Sequence, residues 1–297
     1  MKKIILLFAL LLIYPKSSRC MKHNKKQSQQ QLMLCPITYE NSQATYNFIR
    51  RNFKQYNLEK IGEDLKPCSI KIGNSQNGYI SVRNEWGCAD IQKIYVPKDS
   101  QIPNLGILLI RKALKFAKEK KLNFAVIETF DEKEAQALKE LGFKEEHVQQ
   151  GYKKNKKLYF LKKDTIDFVE PKEDYIDPFS GKHKSTSFYK GETFGFLLTL
   201  NREIIGVAKG TMRTMTLGAT SVFSVIVKKE HRSNGYGKLL TNTVLEHAKK
   251  QGCTFATLDT FGFQAPKFYE KKLGFTIDFE RSGYEQGRKL YFMSKKL

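Results

Sequence analysis

The strongest constraint on what this chain can fold into is that it repeats itself. Displaced by 131 residues, segment 96–130 falls on 227–261, and across the windows 91–130 and 222–261 12 of 40 positions are identical. Most of the remaining positions in those windows keep their apolar or polar character. One inserted residue later the offset becomes 132. Leu141-Gly142-Phe143 then meets Leu273-Gly274-Phe275, Gly151-Tyr152 meets Gly283-Tyr284, and Lys157-Leu158-Tyr159-Phe160 meets Lys289-Leu290-Tyr291-Phe292. A register held this long marks a tandem duplication, so both halves are expected to build the same unit.

The second copy is the more legible. Segments 194–200 and 204–209 read as strands joined at Asn201-Arg202, and 221–227 is a strand rich in β-branched residues. Over 236–250 the apolar residues Leu240, Val244 and Ala248, flanked by Leu239 and Leu245, follow helical spacing. Segment 255–258 is the next strand, 265–272 a short helix stopped by Gly274, and 290–293 a closing strand. A strand–loop–helix–strand order makes the two flanking strands parallel neighbours. The expected fold class is therefore α/β, with two tandem units, each a mixed twisted sheet flanked by helices. The expected boundaries are 1–20 for a hydrophobic, signal-like segment, 21–35 for a linker, 36–164 for the first copy and 165–297 for the second. Segment 172–191 is polar, so the second copy lacks an amphipathic helix of its own; the first has a candidate at 41–57, with Ala44, Phe48 and Phe53 on one side.

Composition narrows the function classes. A chain of 297 residues that is 40% hydrophobic buries a sizeable core. Its net charge of +22 attracts polyanions, but the lysines are spread along the chain and no basic stretch is interleaved with aromatics, which argues against a nucleic-acid-binding protein. The five cysteines form no C-x-x-C pair and no zinc-like spacing, so no metal is expected and the thiols read as reduced. The N-terminus points the other way. Lys2-Lys3, an apolar run over 4–14 and a polar stretch over 16–19 have the order of a secretory signal, although the apolar run is too short to span a bilayer. Two readings stay open: a working signal with a product in the secretory pathway, or a true start at Met21 with a cytoplasmic product. No membrane association is expected otherwise, and the protein is expected to be a monomer or a dimer.

The chemistry concentrates at the junction Val227-Lys-Lys-Glu-His-Arg232-Ser-Asn-Gly235-Tyr-Gly237, where a strand passes into a helix. A glycine-rich turn at a helix N-terminus aims several backbone N–H groups at one anion, with the helix dipole adding to the attraction. The spacing V-x-x-x-x-R-x-x-G-x-G resembles the acetyl-CoA signature of the GNAT acetyltransferases. Gln264-Ala265-Pro266-Lys267-Phe268-Tyr269-Glu270-Lys271-Lys272-Leu273-Gly274-Phe275 is similar to the second motif of that family, the helix beside the cofactor thiol. The resemblance covers 194–297 well and 36–163 more weakly.

What the resemblance implies is an N-acetyltransferase with acetyl-CoA as cosubstrate and a primary amine, of a small molecule or a protein, as acceptor. The backbone of Val225 and Val227 would pair with the pantetheine arm, and the N–H groups of Arg232, Ser233, Asn234, Gly235, Tyr236, Gly237 and Lys238 would hold the diphosphate, with Gln264 also on the cofactor. Tyr269 would protonate the leaving thiolate, and Asp259 is the candidate base for the incoming ammonium. The helix turn after Tyr269 is one residue longer than the commonest family form. That departure keeps a second reading in view, a catalytically silent CoA-binding or scaffolding module. In the first copy Gln101 stands for Arg232, Pro103 for Asn234, Asn104 for Gly235, and Ala137 or Leu138 for Tyr269. That copy is expected to be a non-catalytic partner that helps wall the acceptor cleft.

Overall fold

The computed structural model describes residues 21–22, 31–38, 40–62, 68–74, 78–164, 183–184, 191–213 and 218–297. The signal-like segment 1–20 and most of the polar stretch 172–191 lie outside them. In chain order the strands and helices are β1 (Met21–Lys22), β2 (Leu32–Pro36), α1 (Ser42–Ile61), β3 (Cys68–Asn74), β4 (Gly78–Glu85), β5 (Cys88–Tyr95), α2 (Leu105–Glu119), β6 (Phe124–Thr129), α3 (Glu132–Glu140), β7 (Lys144–Gln149) and β8 (Leu158–Lys163). There follow β9 (His183–Lys184), β10 (Glu192–Leu200), β11 (Glu203–Arg213), β12 (Ala219–Val227), α4 (Tyr236–Lys250), β13 (Phe255–Phe261), α5 (Pro266–Leu273), β14 (Thr276–Arg281) and β15 (Leu290–Lys296).

They form two mixed sheets, each flanked by helices. One runs β3-β4-β5-β6-β8-β7 and the other β1-β2-β10-β11-β12-β13-β15-β14, so from β3 and from β10 onward the strand orders correspond one to one. In both, the strand before the long helix and the strand after it are parallel, as the sequence order requires. In the first sheet Ile80, Ile91 and Ile94 pack against Ile110, Leu114 and Ala117 of α2; in the second Leu198, Ile205 and Ala208 pack against Leu240 and Val244 of α4. Burying each such side chain contributes about 1.5–3 kcal/mol, which holds each helix to its sheet.

Sheet membership cuts across the division expected at 164/165. Leu32–Pro36, placed in the linker by its glutamine-rich surroundings, is a strand paired antiparallel with β10, and α1 lies on the same sheet, with Phe48 packed against Leu197, Val207 and Ile226. The helix missing from the second copy's own sequence is thus supplied by the N-terminal segment.

The two units meet through contacts that come in pairs related by the sequence repeat. Tyr152 stands edge-on to Phe255 (5.6 Å) and its counterpart Tyr284 edge-on to Phe124 (5.0 Å), while Phe160 meets its own counterpart Phe292 at 5.2 Å. Gly151 faces Phe255 and Gly283 faces Phe124 in the same way. Reciprocal contacts of this kind are what a two-fold interface produces, here between two halves of one chain. The interface is crossed by polar bonds too: Glu285 N–H donates to Trp86 O (2.8 Å), Asn123 Nδ2 to Gly283 O (2.9 Å) and Arg281 Nε to Glu146 Oε2 (2.5 Å). Among the described residues no helix is long and apolar enough to cross a membrane, and no group of three His, Cys, Asp or Glu is placed to hold a metal.

Candidate active site

The site begins where two parallel strands part. β12 and β13 are paired only over Ala219–Phe255, Thr220–Ala256 and Ser221–Thr257, after which the ladder ends and each strand continues alone on that side. Lys228 N–H donates to Ile205 O of β11 (2.9 Å). Because N–H and C=O groups alternate sides along a strand, those of Val225 and Val227 then face the other edge, the one β13 has left. This is the free strand edge that the sequence assigns to the pantetheine arm.

Beyond Val227 a 3-10 turn over Lys229–His231 leads to the N-terminus of α4. Gly235 is the N-cap residue at φ 80°, and Ser233 precedes it at φ 67°. A Cβ on Gly235 would meet nothing within 4 Å, so the glycine answers to its left-handed backbone and not to crowding. The amide of Arg232 donates to Lys229 O (3.2 Å) and that of Leu239 to Gly235 O (3.0 Å). Between them the N–H groups of Ser233, Asn234, Gly235, Tyr236, Gly237 and Lys238 make no hydrogen bond to the backbone among the described residues. Of the seven amides the sequence assigns to the diphosphate, Arg232's is therefore engaged and six are open.

The Arg232 side chain turns inward. Its Nε donates to Val227 O (3.0 Å), its guanidinium lies over the Tyr56 ring at 5.1 Å, and Nη1 is 3.7 Å from Glu59 Oε2. Arg232 thus ties the anion loop to α1. Tyr56, which sequence reasoning missed, completes this tie. Its hydroxyl donates to Phe263 O (3.1 Å) and Gln264 O (3.0 Å), joining α1 to the turn before α5. Gln264 serves the same turn: its Oε1 accepts from Phe261 N–H (2.8 Å) and Thr260 Oγ1 (3.2 Å), which leaves its amide nitrogen for a ligand. The loop-capping job that a structural reading would give Asp259 is done by Gln264.

Tyr269 sits on α5 between Phe268 (5.2 Å) and Phe275 (6.0 Å). The additional lysine is absorbed at the helix end, where Gly274 at φ 70° and the bond from Phe275 N–H to Tyr269 O close the helix. Burial pushes the Tyr269 phenol up to about 12, with the nearby Asp259 and Tyr56 adding to the shift. Asp259 lies on β13 just past the parting point. Its carboxyl is reachable from the opening yet surrounded by protein, and that crowding raises its pKa above the usual range, with Arg83 opposing. The shift moves it toward neutrality, the range in which a carboxylate works as a base.

The equivalent slot in the first unit is differently furnished. Asn104 takes the left-handed N-cap position of α2 at φ 52°, so the turn survives the loss of glycine. Leu138, at the place of Tyr269, is buried in the apolar core. The slot beside β5 is paired instead with the chain's own β9, through Ile94–Lys184 and Tyr95–His183.

Residues 158–275 match the model of the acetyltransferase (GNAT) family. That family uses acetyl-CoA as its cosubstrate. No curated protein matches the chain. Solved structures similar to it include an acetyltransferase from Bacillus cereus ATCC 14579 (29% identity, 36% of this chain and 75% of that one, TM-score 0.34). Another is the ribosomal-protein-S18-alanine N-acetyltransferase from Escherichia coli (18%, 37% and 71%, TM-score 0.32). A third is a GNAT family acetyltransferase from Elizabethkingia anophelis with acetyl-CoA bound (21%, 36% and 76%, TM-score 0.31).

Proposed function

We propose that this chain is an acetyl-CoA-dependent N-acetyltransferase with one working site, on the sheet that carries α4 and α5, and that its acceptor is a primary amine. The observation that carries the reading is the run of open amides from Ser233 to Lys238 at the end of a strand whose own edge is unpaired. Hydrogen bonds to a charged phosphate contribute about 1.5–3 kcal/mol each, so three or four of these donors suffice to dominate cofactor binding. Bound acetyl-CoA supplies an activated thioester. In this reading the Val225 and Val227 edge holds the pantetheine arm, and a strand N–H near Val227 stabilises the oxygen on which charge develops. Asp259 accepts a proton from the acceptor ammonium, and the freed nitrogen bonds to the acetyl carbon. As the C–S bond breaks, Tyr269 gives its phenolic proton to the sulfur.

The two units are copies of one GNAT-like ancestor, a reading supported by their common strand order and by contacts that recur at the sequence offset. The first unit is the non-catalytic partner. Pro103 removes one amide donor, Leu138 removes the phenol, and β9 occupies the strand edge. The working protein belongs where acetyl-CoA is available, inside the cell.

The test is acetyl-CoA binding by the full chain and by Gly235→Glu, followed by thiol release against a panel of amines. Nothing lies within 4 Å of a Cβ at Gly235, so the variant carries only left-handed strain of about 1–2 kcal/mol and is expected to fold. The expected result is micromolar-range binding lost in Gly235→Glu, and turnover at least tenfold lower in Tyr269→Phe at unchanged binding. Equal binding by wild type and Gly235→Glu would end the case for the loop.

A further inference from the structure

Between the two units, in the middle of an otherwise aromatic interface, lies a cavity of about 150 Å³. Both units line it. Five carboxyl groups reach it, from Glu85, Asp90, Glu128, Asp259 and Asp278, against the two guanidinium groups of Arg83 and Arg281. Arg83 is engaged by Asp90 and Glu85, each at 2.9 Å, and Arg281 Nε by Glu146. No ion pair is made by Glu128, Asp259 or Asp278 among the described residues. Glu128 and Asp259 occupy matching places in the repeat, 131 residues apart on β6 and β13, so each unit turns one carboxylate to the same space.

Charge in such a place is costly, and the molecule shows the strain. Burial pushes the Glu128 carboxyl up to about 8 and that of Glu85 up to about 7. A second observation is independent of the acids. Arg281 is 2% exposed, lines the cavity, and its Nη2 has no hydrogen-bond partner, a buried donor awaiting an acceptor. Asp278 Oδ2 is likewise enclosed without a partner, although Oδ1 accepts from Ser294 Oγ (2.8 Å). Unmet donors and acceptors beside excess negative charge describe the complement of a ligand.

We propose that this cavity is the acceptor pocket, and that it takes a small basic amino acid whose aliphatic ammonium is held by Glu128 and Asp259 and whose carboxylate is read by Arg281. Calling it the acceptor pocket rests on the acetyl-transfer reading. Ser221 and Thr257, the last paired residues before β12 and β13 part, line the cavity together with Asp259. An amine at Asp259 therefore lies next to the strand edge assigned to the thioester arm. At about 30 Å³ per water the space displaces about five waters, which suits a short amino acid and excludes a folded protein surface. A ligand with two ammonium groups and one carboxylate offsets the excess of acids and still supplies the oxygen that Arg281 Nη2 lacks. In this arrangement the first unit, without chemistry of its own, contributes Glu128 and Glu85 as specificity-determining residues.

The experiment is calorimetric titration of the full chain with ornithine and, separately, with putrescine, which has the ammonium groups but no carboxylate. Both are repeated on Glu128→Gln, which mimics the protonated carboxyl and so preserves the fold, as a thermal melt checks. Ornithine is expected to bind, putrescine at least tenfold more weakly, and Glu128→Gln to weaken ornithine at least tenfold with acetyl-CoA binding unchanged. No heat with ornithine, or equal ornithine binding by wild type and Glu128→Gln, overturns the pocket. Putrescine binding as tightly as ornithine overturns the amino-acid class. Acetyl-CoA is titrated in parallel: its failure to bind would remove the acetyl-transfer reading without touching the ornithine result.

Discussion

The buried carboxyl of Glu128 gives the molecule a pH dependence opposite to that of most acids. An ordinary glutamate, near 4.5 unfolded, is stabilised in its charged form by a partner; Glu128 has none and is pushed up to about 8 by burial, with Arg281 opposing and Asp90 and Asp259 reinforcing. Between about pH 4.5 and pH 8 the unfolded chain has released this proton and the folded one retains it. Stability therefore falls as pH rises through that window, and levels off above it. A full shift of this size corresponds to several kcal/mol at about 1.4 kcal/mol per pH unit. Water admitted through the cleft mouth reduces that figure, to on the order of 3 kcal/mol. Glu128→Gln removes the titration. Relative to wild type it should be near neutral at pH 5 and more stable by about 3 kcal/mol at pH 9, about 6–12 °C in melting temperature for a chain of this size. The assay is urea or thermal unfolding of both proteins across this pH range, read as a difference so that the general effect of the basic surface cancels. Parallel pH profiles for wild type and Glu128→Gln would refute the argument.

Two further substitutions probe the scaffold. Tyr56→Phe keeps the ring under Arg232 but deletes the bonds to Phe263 O and Gln264 O, and should lower stability by about 1–2 kcal/mol in urea titration; an unchanged midpoint would contradict the tie between α1 and the site. Gly283→Ala, at φ 99° with a Cβ 3.3 Å from Phe124, should cost more than Gly151→Ala, at φ 96° with Phe255 at 3.8 Å. Both should destabilise the chain in thermal melts, and tolerance of both would count against the paired interface.

How much of this was legible follows from where each signal resides. α4 runs from Tyr236 to Lys250 as its spacing predicts, because Leu240, Val244 and Ala248 form one seam and Gly235 sets its start. β14 escaped notice because it carries Thr276, Ile277, Asp278, Phe279, Glu280 and Arg281, and its buried member is an arginine where strand patterns look for an apolar residue. The placement of β2 and α1 was unreadable for another reason: Leu32 pairs with Leu200 across 168 intervening positions, and no local pattern encodes a partner so distant. Tyr56 and Glu59 reach the site along that same long-range route. The cavity acids are a different case. Glu128 and Asp259 align in the repeat, so the shared carboxylate was visible in the sequence, but its meaning depended on the two units facing each other.

The central claim is that the amides between Val227 and Leu239 receive the cofactor's diphosphate. Its most direct test is backbone amide NMR of the full chain with and without coenzyme A. The predicted result is large shifts and slowed exchange for Ser233 through Lys238, with Val225 and Val227 also protected and Arg232, already bonded to Lys229, changing least. Saturating coenzyme A that leaves those amides unmoved, or that moves a different segment, would contradict the account.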